Sequence, residues 1–149
     1  MQAAATLRSV REFEMLNKNP PPGVVLEAKT PATEWIAHVA GPADTPYQKG
    51  TFDLEIKFDN YPFKPPRVLF KTSIFHPNVS DKGEICADIY EKDWAPTKKM
   101  QDVFNIIRTM LLSPNLETPL NEEAGKLCRE SKDEFFKRAS EHTAKNALK

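Results

Sequence analysis

Apolar positions between residues 3 and 18 recur at helical intervals. Leu7, Val10, Phe13 and Leu16 form one stripe, while Arg8, Arg11 and Glu14 alternate with it, so this stretch is predicted to be a helix. Asn19-Pro20-Pro21-Pro22-Gly23 stops it, because proline disfavours helical geometry in the residue before it. The pattern then changes period. Val24 to Ala28 and Glu34 to Ala40 are short apolar runs, the second holding Trp35 and Ile36, and Gly41-Pro42-Ala43-Asp44-Thr45-Pro46 is a turn cluster. Thr51 to Phe58 alternates most regularly: Phe52, Leu54, Ile56 and Phe58 against Thr51, Asp53, Glu55 and Lys57. That is the signature of a half-buried antiparallel strand. After the breaker Tyr61-Pro62-Phe63-Lys64-Pro65-Pro66, Arg67 to Lys71 reads as a fourth strand.

Residues 72–98 show no strong periodicity, and a long irregular stretch inside one domain often carries function. Helical spacing returns with Val103, Ile106, Ile107, Met110 and Leu111, and Ser113-Pro114-Asn115 ends that helix. Thr118-Pro119 reads as an N-cap with proline in the first helical position, ahead of a stripe of Ala124, Leu127 and Cys128. Ser131 with Glu134 reads as a capping box opening a last helix that contains Phe135 and Phe136. Strands followed by helices argue for an α+β fold with an antiparallel sheet, in one domain spanning residues 1–149.

Composition adds exclusions. At 40% hydrophobic residues the chain can build a core, and 21 basic against 21 acidic residues leave no bulk charge to draw it to nucleic acid or an anionic membrane. No apolar run approaches a membrane span, and the opening residues do not read as a signal peptide. Two cysteines, Cys86 and Cys128, do not make a disulfide framework, so a reducing setting, cytoplasmic or nuclear, is expected. His38, His76 and His142 are dispersed without zinc-ligand spacing, and there is no glycine-rich phosphate loop, so neither a metal nor ATP is expected.

The irregular stretch holds the candidate chemistry. Cys86 lies in Gly83-Glu84-Ile85-Cys86-Ala87-Asp88 and is either a buried structural cysteine or a reactive thiol. Cys128, on an apolar stripe, reads as core. His76 and Asn78 admit three readings: base and orienter in a Cys-His hydrolase, a turn held by side-chain hydrogen bonds, or, for Asn78, an amide donor to an oxyanion. Trp35 and Trp94 read as packing residues.

Taken together, Tyr61-Pro62-Phe63-Lys64-Pro65-Pro66, His76-Pro77-Asn78, Cys86 and Trp94-Ala95-Pro96 at these spacings resemble the core of ubiquitin-conjugating enzymes. Gly41-Pro42, Pro46-Tyr47 with Gly50, Ser113-Pro114-Asn115 and Pro119-Leu120 extend the likeness over almost the whole chain, which looks like a minimal single-domain member. The resemblance implies that fold (helix, four-stranded meander, active-site loop, C-terminal helices) and a ubiquitin thioester on Cys86. It gives Asn78 oxyanion stabilisation or loop ordering, His76 a structural role and Asp88 a part in attack by lysine. It implies ligase docking at Phe63, Ala95 and Pro96, and activating-enzyme contacts at Arg8 and Arg11. Thr118 stands where the family often has aspartate; with His76 it is expected to order the loop near the site, and it cannot supply a negative charge, so Asp88 is expected to serve lysine transfer. The implied partners are ubiquitin, activating enzyme, ligases and protein substrates, with no nucleic acid or membrane, the chain acting as a monomer. No cofactor is implied, since ATP is consumed upstream. Competing readings are a carrier of another ubiquitin-like modifier, a non-catalytic adaptor on the same fold, and the hydrolase.

Overall fold

The computed structural model describes residues 2–148, with side chains from Arg8 onward. Helix α1 runs Gln2–Lys18 and is followed by strands β1 (Val24–Thr30), β2 (Glu34–Ala40), β3 (Thr51–Lys57) and β4 (Arg67–Phe70). A short helix α2 (Ala87–Tyr90) precedes α3 (Met100–Leu112), α4 (Glu122–Glu130) and α5 (Lys132–Asn146). Leu7, assigned to the first apolar stripe, has its side chain outside the described residues. Leu16 is buried and Phe13 half-buried, as that stripe requires, but Ser9 and Glu12 are buried beside them. Their polar atoms are satisfied within the fold: Ser9 Oγ donates to Ala32 O at 2.9 Å, and Glu12 accepts three bonds described below. A helix face can thus bury polar groups when each finds a partner.

The sheet is an antiparallel meander in the order β1-β2-β3-β4. Its register aligns Trp35 with Ile56, Ala37 with Leu54 and Val39 with Phe52, so one face is continuously apolar and buried. The period-2 alternation of β3 encodes this directly. Strand β1 extends two residues past its apolar run, through a register irregularity between Glu27 and Thr30, because this exposed end pairs through its backbone. Over the buried face lie α3, through Val103, Ile107, Met110 and Leu111, and the C-terminal helices, through Cys128, Phe135 and Ala139. Among the described residues, no helix is long and apolar enough to cross a membrane.

Two expectations need correction. Thr118 does not cap α4. The N-cap is Asn121, whose Oδ1 accepts from Ala124 N–H at 3.0 Å. Leu120 and Asn121 both donate backbone N–H groups to Pro77 O, at 2.8 and 3.1 Å, which holds residues 118–121 outside helical geometry. Residues 72–98, in turn, are not wholly irregular: α2 forms directly after Cys86. It is only four residues long, too short for an apolar period to declare itself. Ser131 does cap α5, accepting from Glu134 N–H at 3.3 Å.

Candidate active site

The segment 76–86 is fastened to the edge of β4. Gly83 O accepts from Phe70 N–H at 2.9 Å, and bridges form at Leu69–Glu84 and Val79–Ile85. Gly83 is required by geometry: its φ is +87°, and a Cβ there would lie 2.0 Å from Phe70 O. The bond from Cys86 N–H to Asn78 O, 2.9 Å, closes this segment, so His76-Pro77-Asn78 and Cys86 occupy one rigid unit.

Each residue of the tripeptide is committed. His76 is fully buried; its Nδ1 accepts from Asn78 N–H at 2.9 Å and its Nε2 lies 2.8 Å from Met110 O. The Nδ1 contact assigns the proton to Nε2, which donates to Met110. Burial pushes its pKa down to about 4, against the opposing effect of the Met110 bond, so the ring is neutral near pH 7. A neutral imidazole with both nitrogens occupied is a brace for α3, which removes the basis for a Cys-His hydrolase. Pro77 contributes its carbonyl to Leu120 and Asn121. Asn78 is 1% exposed; its Nδ2 donates to Asn115 O at 2.7 Å and its Oδ1 accepts from Asn115 N–H at 2.9 Å. That two-way clasp fixes the 113–118 loop beside the cysteine, the ordering role among those considered. The second Nδ2 hydrogen is the one left for an oxyanion.

Cys86 stands at the N-cap of α2 and is 8% exposed, more covered than a free nucleophile would be expected to be. Its cover is polar. Sγ lies 3.6 Å from Thr118 O and 3.8 Å from Thr118 Oγ1. Thr118 is exposed and donates its hydroxyl proton to Asp88 Oδ2 at 2.7 Å. Asp88 is exposed on the first turn of α2. The three predicted residues therefore meet in one line: thiol, hydroxyl, carboxylate. Cys128 is buried in the core, where burial raises its pKa, and both cysteines are free.

Phe63 is 57% exposed, and Pro96 is exposed beside half-buried Ala95. Their loops are tied together because Trp94 Nε1 donates to Pro62 O at 2.8 Å while its ring packs against Tyr61. Arg11 is exposed on α1, but Arg8 is spent within the fold. It pairs with Glu12 at 2.9 Å, donates to Pro96 O and Lys98 O, and lies over the Tyr61 ring. Arg8 is thus a pin between α1 and the 95–98 loop. Glu12 was not legible as a functional residue. Its Oε1 accepts from Met100 N–H at 2.7 Å, and its Oε2 from Tyr61 Oη at 2.6 Å and from Arg8. In the sequence it is one more charge on a helix, and its i+4 spacing from Arg8 was the only available signal.

A family model described as "Ubiquitin-conjugating enzyme" matches residues 8–143. The chain is similar to ubiquitin-conjugating enzyme E2 2 of Candida glabrata, 39% identical over 98% of this chain and 89% of that protein. It matches the Saccharomyces cerevisiae protein of the same name at 39%, over 98% and 86% of the two chains. The Trichoderma harzianum protein of that name is 40% identical over 95% of each.

Proposed function

This chain belongs to the family of ubiquitin-conjugating enzymes, and from that premise we propose that Cys86 is the sulfur on which ubiquitin rides. As a family member it is a transferase that works through a thioester intermediate, with ubiquitin, an activating enzyme and ligases as its partners. The observation that carries the assignment is the setting of the two thiols. Cys128 is packed among apolar side chains, whereas Cys86 lies in the clasped segment under a polar cover.

In loading, the Cys86 thiolate attacks the thioester carbonyl held by the activating enzyme, and that enzyme's cysteine leaves. One thioester replaces another, so the step is near balanced and calls on no cofactor in this chain; ATP is used upstream. In discharge, a substrate lysine or a ligase cysteine attacks the carbonyl on Cys86. Asn78 keeps the 113–118 loop against the thioester and offers its remaining amide hydrogen to the oxyanion. Exposed Phe63 with Pro96 and Ala95 supports a ligase-docking face, and exposed Arg11 supports a contact with the activating enzyme, to which Arg8 contributes by holding α1 in place. The chain acts as a monomer in the cytosol and nucleus, where its two free thiols stay reduced.

The test is a mixture of this protein, activating enzyme, ubiquitin and ATP resolved without reductant. A thiol-sensitive adduct is expected, absent when ATP is omitted. Cys86→Ser should convert it into a thiol-resistant ester, and Cys128→Ser should leave it unchanged. An adduct that survives loss of the Cys86 sulfur as a thioester would overturn the assignment.

A further inference from the structure

The hydroxyl of Thr118 lies between the nucleophilic sulfur and a carboxylate, 3.8 Å from Cys86 Sγ and 2.7 Å from Asp88 Oδ2. Its single proton is given to Asp88, which leaves its lone pairs to accept, with the sulfur 3.8 Å away. A hydroxyl that donates to a carboxylate and can accept on its other side is equipped to pass a proton. The backbone carbonyl of Thr118, 3.6 Å from Sγ, adds a second acceptor but has no proton to hand on.

We propose that Thr118 and Asp88 form a two-residue proton relay that serves lysine transfer. The inference rests on Cys86 being the thioester residue. When a neutral lysine amine attacks the thioester carbonyl, a C–N bond forms and the nitrogen becomes positively charged and acidic. Its proton passes to Thr118 Oγ1 while the Thr118 proton passes to Asp88 Oδ2. The C–S bond then breaks and its electron pair leaves on Sγ. The proton held on Asp88 returns through Thr118 to the sulfur, restoring the carboxylate, the hydroxyl and the thiol. One proton has moved from amine to sulfur, and no other acid or base is consumed.

The geometry gives threonine a positive role at 118. The hydroxyl lets the carboxylate on α2 act at the sulfur without standing beside it. Charged groups on the adjoining surface include Glu117, exposed on the same loop, and Arg129 of α4, whose guanidinium is turned to Leu116 O at 3.5 Å. Neither is bonded to the Thr118 hydroxyl, whose donated proton goes to Asp88.

The experiment uses purified, ubiquitin-loaded full chain and follows single-turnover discharge to free lysine and, separately, to N-acetylcysteine. The thiol acceptor attacks as a thiolate and brings no proton to be removed. Thr118→Val and Asp88→Asn should each slow lysine discharge by about a hundredfold, the low side of what a positioned base supplies. Thiol discharge should change less than about twofold, a gap a merely structural role would not produce. Thr118→Ser should restore lysine discharge. Because the two groups act in series, the double variant should be no slower than the slower single variant. Added imidazole should accelerate Asp88→Asn more than the unaltered chain, and Glu117→Gln should discharge at the unaltered rate. Equal losses toward lysine and thiol, losses that multiply in the double variant, or a Thr118→Val protein that discharges normally to lysine would each overturn the relay. An unaltered chain that never loads would instead remove the assignment of Cys86, and the relay with it.

Discussion

Single side chains in this protein are tuned by what their neighbours can accept, and two histidines show opposite signs. His38 holds Glu27 at one ring nitrogen and Asp53 at the other, both at 2.6 Å, and these carboxylates raise its pKa. A raised folded value means that its contribution to stability is fully present below the ordinary value of about 6.5 and fades as pH rises through the folded value. Buried His76 is depressed to about 4, so the stability of its neutral state is present above about 6.5 and lost as pH falls toward 4. Chemical denaturation of the unaltered chain and His38→Gln across pH 5–9 should show a gap that is widest at the acid end and narrows upward; a gap independent of pH would contradict the clamp. Asn78→Ala removes both halves of the clasp on Asn115 and leaves its part-buried backbone N–H and C=O without these partners. It should cost about 1–3 kcal/mol in stability and slow discharge in parallel. Slowed discharge at unchanged stability would mean that Asn78 acts through the oxyanion alone.

At the scale of elements, legibility followed periodicity. Strand β3 and helix α3 were readable because a sheet with one buried face imposes period 2 and a helix on a core imposes 3.6, while β2 shows only as an apolar run. The 76–86 segment was legible only as a motif. Its structure comes from hydrogen bonds between residues far apart in sequence, Asn78 with Asn115 and Pro77 with Leu120, which leave no local pattern. The same cause misplaced the start of α4: Thr118-Pro119 has the local chemistry of a helix start, but the pull of Pro77 O won. Where the backbone itself is constrained, the consequences are sharp. Gly83→Ala should cost at least about 1–3 kcal/mol, from positive φ alone, and loosen the 76–86 segment from β4. Ser131→Ala, by contrast, should cost about 0.5–2 kcal/mol and leave loading intact. Thermal denaturation with a loading assay separates the two; a Gly83→Ala protein as stable as the unaltered chain would contradict the packing described.

Across the whole molecule, α1 and the two loops of the proposed ligase face converge on one buried carboxylate. Glu12 accepts from Tyr61, Arg8 and Met100, while Arg8 reaches on to Pro96 and Lys98. Glu12→Ala should therefore destabilise the fold by at least about 2 kcal/mol, and ligase-stimulated discharge should fall further than unstimulated discharge. Equal effects on both rates would show that the hub supports only the fold. Every transfer proposed for the chain passes through the sulfur of Cys86. Intact-mass analysis of the Cys128→Ser chain, after incubation with activating enzyme, ubiquitin and ATP, tests it most directly. The expected product is a species heavier by one ubiquitin less one water, which dithiothreitol returns to the starting mass and whose linkage maps to Cys86. A chain that stays at its starting mass, or an adduct that maps elsewhere, would contradict it.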